Sequence, residues 1–324
     1  MLQQSETLLT KDIKRSKRKP ERRERRWLRG LTPYLLLLPA ILFLFLFFFA
    51  PALFNFLLSF QRVSFFDVAK GGAWIGLGNF VSILQDPQTL LSLRNTVFYL
   101  TIGTVLLRLI LGLLLALLVN SSALKRWRLT GIMRTCFILP WAIPPVVAIA
   151  AWKWLLDPQF GVINQLLLSV GLVKEGIPFL VQTTTVWYGV IAIVVWRELP
   201  FVIISVLAGL QAIPGEIIEA ARVDGATRLH IFRFITLPLL SPVLLTVGWL
   251  TTIWTYNNFV FVWLTTRGGP GNFTQVLGTQ LYNTAFIDYD FGKGAAVGVL
   301  MTLVMVIFST LYYTFIFKGR VGQT

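Results

Sequence analysis

Apolar residues along the chain gather into six long runs, near Thr32–Phe60, Asn95–Asn120, Gly131–Leu155, Thr184–Ala208, Thr236–Leu264 and Ala295–Phe317, separated by shorter polar connections. Each is long enough to cross ~30 Å of hydrocarbon as a helix, which takes about 20 residues at ~1.5 Å per residue. The runs are continuous and do not alternate, which excludes the ~10-residue strands of a transmembrane β-barrel. The first run exceeds the apolar core of a signal peptide, and no small-residue cleavage site follows it, so it predicts an uncleaved anchor. The pattern predicts an all-α membrane protein with six transmembrane helices. It divides the chain into a basic tail at 1–30 and a six-helix domain at 31–324.

Composition strengthens that reading. Of 324 residues, 56% are hydrophobic and 13% charged, against the roughly 25% charged residues of ordinary globular chains. A soluble fold has too little polar surface to cover so much apolar matter, and a disordered chain is excluded for the same reason. One cysteine, Cys136, leaves no intramolecular disulfide framework and no Cys-rich metal site; it reads as a small apolar filler. One histidine, His230, removes His-based metal clusters and reads as a polar loop residue. No cofactor or metal is expected in this chain.

Charge orients the spans. With the N-terminus in the cytoplasm, the inner segments hold 20 basic and 7 acidic residues, and the outer loops hold 6 of each. That excess predicts both termini on the cytoplasmic side. Trp152, Trp154 and Trp263 fall near expected outer ends, where interfacial anchors sit. The run Lys11–Arg29 reads as a topology determinant resting on anionic lipid. It has no aromatic interleaving or fold suited to nucleic acid, and none is expected as a partner.

A passive anchor would have uniform helices, and these are interrupted. The third run carries Pro140, Pro144 and Pro145 in LPWAIPP, and the fourth carries Pro200 just after Arg197 and Glu198. Proline frees backbone carbonyls, so broken helices in a bilayer line protein-enclosed or wet cavities, unless they are simple packing kinks. Arg197 and Glu198 lie mid-span, where a charge costs at least ~2.5 kcal/mol and faces the bundle interior. Neighbours on a helix point ~100° apart, which assigns these two to different partners, a ligand or else an interhelical pair with Arg108. Arg108, also mid-span, reads as structural. Asn257 and Asn258, within WTYNNF, offer donors and acceptors beside flat aromatic faces and suit a polyhydroxyl ligand or an interhelical bond.

The connection between the fourth and fifth runs reads QAIPGEIIEAARVDGATRLHIFRFITLPLLSP. Pro214-Gly215 breaks the preceding helix, Glu216–Val223 has helical composition with an acidic first turn, and Gly225 ends it. A second segment, Ala226–Leu237, then enters the membrane. The short helix exposes Ile217, Ile218 and Ala221 as well as Glu219, and apolar residues on a polar surface point to a protein partner.

The pattern E-A-A-x3-G-x9-I-x-L-P is filled here by Glu219, Ala220, Ala221, Gly225, Ile235, Leu237 and Pro238. It resembles the loop of the permease subunits of bacterial ATP-binding-cassette (ABC) importers. LPWAIPP at Leu139–Pro145, NNF at Asn257–Phe259 and GGP at Gly268–Pro270 are similar to the maltose-type carbohydrate-uptake branch. The likeness runs from Pro33 to Lys318. It departs at the front, where the maltose permease has two extra spans and a large periplasmic insertion.

The resemblance implies the type I importer permease fold and a multi-pass subunit of the bacterial inner membrane. It implies a disaccharide, oligosaccharide or glycosyl-polyol as cargo. The implied partners are a second permease of different sequence, two ATPase subunits that carry ATP and Mg, and an extracytoplasmic sugar-binding protein. No G-x4-G-K-[ST] phosphate loop occurs in this chain, in keeping with a subunit that does no ATP chemistry. The coupling positions would be Glu219, Ala220, Ala221, Asp224 and Gly225 within the loop at 211–238. Sugar-contacting positions would be Trp141 and Pro145 on the third span, Arg197, Glu198 and Phe201 on the fourth, and Thr251, Trp254, Thr255 and Asn258 on the fifth. Rival readings are an ion-gradient-driven secondary transporter, disfavoured by the lack of self-similar halves, and a non-transporting scaffold, disfavoured by mid-span polar groups.

Overall fold

The computed structural model describes residues 22–68, 70–121 and 130–317. The tail through Glu21, most of the basic connection after Ser121, and Lys318 and Arg320 lie outside the described residues. The chain forms two compact units, 1–55 and 56–324.

A helix over Arg22–Leu44 makes up the described part of the first unit and continues through a π-helical turn, Phe45–Phe49, into Ala50–Leu58, whose last residues belong to the second. Its phenylalanines pack along the helix, Phe43 tilted against Phe47 at 4.7 Å and Phe45 stacked on Phe49 at 5.3 Å between ring centroids. Apolar side chains leave this helix on every side, as expected of a helix solvated by lipid.

The second unit is a helical bundle with one small antiparallel hairpin, Gln61–Arg62 against Ala73–Trp74. The second span runs Pro87–Val119, eight residues earlier than the apolar run that marked it. Asp86 caps it, accepting from the Gln88 amide at 3.0 Å, and Pro87 supplies a first-turn residue with no N–H to satisfy. The extra turns are polar because they bond to the rest of the bundle. Gln280 donates to Thr89 Oγ1 at 2.6 Å, and Asn95 donates to the Phe273 and Gln275 carbonyls at 2.8 and 2.9 Å.

The third span is two helices, Thr130–Ala142 and Pro145–Leu155, bent by 98°. Pro144 is extended (ψ 137°), the conformation a following proline imposes, and Pro145 opens the second half. The fourth span, Val186–Ala212, departs from expectation: the helix runs through Pro200 unbroken. It is the centre of the bundle. Val186, Val190, Ile193 and Val194 join one apolar cluster with Leu100, Ile149 and Phe261, and Val202, Val206 and Leu210 join another with Ala116, Val119 and Leu240. Packing of its buried face, Pro200, Val202 and Ile203 among it, holds the helix across the missing hydrogen bond. The second span approaches it so closely at Gly112 that a Cβ there would lie 2.5 Å from Val202 Cγ1.

The fifth span is Arg228–Tyr256 and ends eight residues short of the Leu264 expected from hydropathy. Asn257 and Asn258 interrupt it, and a separate helix follows over Phe259–Thr265. The sixth is Phe291–Leu311, capped by Asp290 on the Lys293 amide at 3.0 Å and prolonged by π-helical Tyr312–Phe317.

One smaller expectation is corrected. Cys136 is exposed on the third span and is not a core filler. Trp154 is exposed, while Trp152 packs edge-on against Trp196 at 5.7 Å, and Trp263 stacks on Phe259 and lies tilted against Tyr282. Their rings have aromatic neighbours within reach, which hydropathy does not register.

Candidate functional site

The bend of the third span, the middle of the fourth and the end of the fifth meet in one polar cluster. Arg197 Nη1 pairs with Glu198 Oε1 at 2.5 Å, and Arg197 Nη2 donates to the Trp141 carbonyl at 3.3 Å. This corrects the assignment of Arg197 and Glu198 to different partners. Their Cα–Cβ bonds do diverge, but both side chains are long enough to curl back along the helix. Isolating either charge inside a bundle costs more than bending two rotamers. The Trp141 carbonyl lies within a turn of the Pro144-Pro145 break. The broken third span thus supplies an acceptor to the fourth.

Beside the pair, Phe201 and Trp254 lie with ring centroids 4.9 Å apart and planes at 60°. Trp141 and Trp254 are each about half exposed, so both indoles remain open, one on the residue whose carbonyl Arg197 bonds and the other against Phe201. Pro145 begins the second half-helix and is partly buried. The structure therefore brings Trp141, Arg197, Glu198, Phe201 and Trp254 together.

Thr251 and Thr255 are placed differently. Both are buried, and their hydroxyls donate within their own helix, Thr251 to Val247 O at 2.8 Å and Thr255 to Thr251 O at 2.7 Å. Asn258 is the N-cap of the Phe259–Thr265 helix, its Oδ1 accepting from the Phe261 amide at 3.3 Å. Its carboxamide oxygen fixes the break in the fifth span. Asn257 is exposed and donates to Ile253 O at 2.9 Å.

Sequence reasoning left Arg108 as structural and missed where it points. Only 1% exposed, it donates through Nε to Thr104 O at 3.2 Å and through Nη2 to Thr255 Oγ1, and Glu198 acts on it electrostatically. The buried guanidinium thus ties the second span to the last turn of the fifth, behind the aromatic cluster. A threonine one turn before a mid-span arginine was the available signal.

At the far end of the fourth span, Pro214 is extended and a helix runs Gly215–Val223, with Glu216 in its first turn and Arg222 in its last. Asp224 ends it, and Gly225 follows at φ +83°, a left-handed conformation that favours glycine. Thr227 then caps the next helix by accepting from the His230 amide at 3.3 Å, and the His230 ring lies tilted against Phe234 at 4.5 Å. Ile217, Glu219 and Ala220 are exposed, whereas Ile218 and Ala221 are half-buried. A cavity of about 490 Å³ opens between the two helices, lined by Ala221, Asp224, Gly225, Thr227 and His230 among others.

Among the described residues, no group of three or more His, Cys, Asp or Glu side chains is placed to hold a metal ion.

The sequence signature described as "Binding-protein-dependent transport system inner membrane component" matches residues 108–320. The chain is 32% identical over 280 residues to the trehalose/maltose transport system permease protein MalF of Thermococcus litoralis, covering 86% of this chain and 91% of that one. It is 30% identical over 289 residues to the sn-glycerol-3-phosphate transport system permease protein UgpA of Agrobacterium fabrum, covering 89% and 95%. Its fold is similar to that of a chain of a bacterial ABC transporter involved in the import of the acidic polysaccharide alginate. There the TM-score is 0.74 at 25% identity, covering 90% of this chain and 97% of that one. Spans interrupted at a shared polar cluster and a short helix exposed between the fourth and fifth spans accord with these matches. The chain belongs to the family of binding-protein-dependent transport system inner membrane components, and is a multi-pass permease subunit of an ABC importer of the type I fold.

Proposed function

We propose that this permease carries a neutral saccharide, of disaccharide to oligosaccharide or glycosyl-polyol size, across the inner membrane. The observation that carries the reading is the joining of open indole faces at Trp141 and Trp254 to a charged pair that cancels itself. Aromatic faces stack on the apolar face of a sugar ring, and the pair forks onto hydroxyls. Arg197 spends its charge on Glu198, and Arg108 is enclosed, so the cluster offers no free cation to an acidic cargo. Thr251, Thr255 and Asn258 take part as framework, and Phe201 backs the Trp254 ring.

The partners on this reading are a second permease of different sequence, an extracytoplasmic sugar-binding protein and two ATPase subunits that hold ATP and Mg. The exposed helix Gly215–Val223 would enter a cleft on one ATPase, with Glu219 making the charged contact, Ala220 and Ala221 allowing close approach, and Asp224 and Gly225 setting the turn. Its exposed isoleucine and acidic residue on one short helix support that role. The basic tail and inner connections would face the cytoplasm and anionic lipid.

Two measurements test the reading. Uptake by cells carrying the whole system, assayed against neutral disaccharides, a uronic-acid disaccharide and glycerol phosphate, should favour a neutral sugar. Trp141→Ala with Trp254→Ala should abolish uptake while the complex still assembles. Preference for an acidic cargo, or normal uptake in the double variant, refutes the assignment of the cluster. Separately, Glu219→Lys should release the ATPase on affinity purification, and retention refutes the assignment of the loop.

A further inference from the structure

Among the described residues, Arg108 is the only charged side chain that is fully buried, and it forms no ion pair. It bonds instead to threonines on two spans. Its Nε donates to the Thr104 carbonyl at 3.2 Å, and its Nη2 donates to Thr104 Oγ1 at 3.4 Å and to Thr255 Oγ1. Both hydroxyls have already given up their proton, Thr104 to Leu100 O at 2.5 Å and Thr255 to Thr251 O at 2.7 Å. A hydroxyl has one proton and two lone pairs, so each of these can only accept from a further neighbour. A guanidinium, all donor, meets that need on both spans at once.

Thr255 belongs to the last turn of the fifth span, which the interruption at Asn257 and Asn258 leaves without a continuing helix. Consecutive residues of this turn are fastened to three different spans. Trp254 packs on Phe201 of the fourth at 4.9 Å, Thr255 takes the Arg108 bond from the second, and Tyr256 donates its hydroxyl to Met301 O of the sixth at 3.1 Å. The bond from the guanidinium is the strong one, since a charged donor makes a hydrogen bond roughly twice as strong as a neutral one. Side chains reach about 5–6 Å from a helix axis, so a turn free to rotate by about 10° carries the Trp254 indole about 1 Å, beyond the ~0.5 Å within which a binding constellation must be held. Glu198, the carboxylate of the site, also acts on Arg108 electrostatically, so one guanidinium addresses both the aromatic and the charged half of the cluster.

We propose that Arg108 is a positioning residue of the transport site: through Thr255 it fixes the angle of the last turn of the fifth span, and with it the Trp254 indole. The inference rests on the reading of the aromatic cluster as the cargo site.

The test uses the assembled transporter in lipid nanodiscs and proteoliposomes, with 5-fluorotryptophan in place of Trp254 alone. Arg108→Met keeps an apolar stem and removes the guanidinium, whereas Thr255→Val keeps the arginine and removes only the acceptor. Each should shift or split the fluorine resonance. Each should also lower uptake of the best-carried neutral disaccharide, per assembled transporter, about tenfold, the lower end of what losing a bond to a charged group implies. Both variants break the same bond, so the double variant should be no worse than the worse single. Thr96→Val is the structural control, about three turns away on the same span. It loses a buried bond from the Leu277 amide at 2.8 Å, and should lower thermal stability while leaving the resonance and the uptake per transporter at their wild-type values. An unmoved resonance in both single variants, losses that multiply to about a hundredfold in the double, or the same shift from Thr96→Val would each overturn the proposal. If the resonance moves but Trp254→Ala leaves uptake normal, the positioning stands and the assignment of the cluster as the cargo site falls.

Discussion

Glu198→Ala should damage this protein more than removing Glu198 and Arg197 together. The two side chains are 16% and 14% exposed, so more than four-fifths of each is withdrawn into the bundle. Deleting one partner of a buried pair costs ~3–5 kcal/mol because the other charge is left behind. Here the stranded guanidinium keeps the Trp141 carbonyl at 3.3 Å and a little exposure, which lowers the expected cost to about 2–3 kcal/mol. Arg197→Met with Glu198→Ala removes both charges, leaves an apolar stem in an apolar wall, and should cost ~1 kcal/mol or less. Arg197→Met alone strands the equally buried carboxylate and should cost a similar ~2–3 kcal/mol, so the coupling is at least about 3 kcal/mol, well above the few tenths expected of independent sites. Thermal unfolding of the full transporter in lipid nanodiscs, followed for the wild type, both single variants and the double, reads the four corners of the cycle. Additive losses, with the double variant the least stable, would refute the claim that these charges hold each other.

Two further outcomes follow from burial. Thr255→Val keeps the shape of the side chain but deprives the Arg108 guanidinium of its contact on the fifth span, and should destabilise the complex by about 1.5–3 kcal/mol in the same unfolding assay, the range for bonds to charged groups. Gly112→Ala sets a methyl 2.5 Å from Val202 Cγ1, and should cost ~1–3 kcal/mol unless Val202→Ala is introduced with it, in which case part of the loss returns.

The spans were legible because their signal is additive over about 20 residues, and no single side chain decides it. Their ends were less so. The second span begins at Pro87 because Thr89, Ser92 and Asn95 are buried polar residues, and hydropathy counts such residues against a helix whatever they bond to. The fifth ends at Tyr256 because Asn258 caps a new helix, a local event inside a run that is apolar on average. Of the two proline signals, Pro144-Pro145 breaks the third span and Pro200 leaves the fourth intact. The difference lies in the neighbours. Adjacent prolines constrain each other's backbone directly, whereas a lone proline in a helix whose buried face is packed loses one bond and keeps the rest.

The site divides along the same line. The family resemblance marked Trp141, Phe201 and Trp254 as site aromatics; Phe201 and Trp254 pack ring to ring, and Trp141 joins through its carbonyl, which Arg197 bonds. The partners of Arg197, Thr251 and Thr255 depended on rotamers and on the second span, neither of which is written into spacing along one helix. Thr251 and Thr255 turn inward because their hydroxyls reach carbonyls three or four residues back, the ordinary way for a threonine to satisfy itself in a helix surrounded by hydrocarbon. With Thr255 also accepting from Arg108, the polar face left open on this half of the cluster narrows to Arg197 and Glu198. On the proposed reading, discrimination among saccharides by this subunit falls to that pair and the two indoles, while the threonines set the spacing between them.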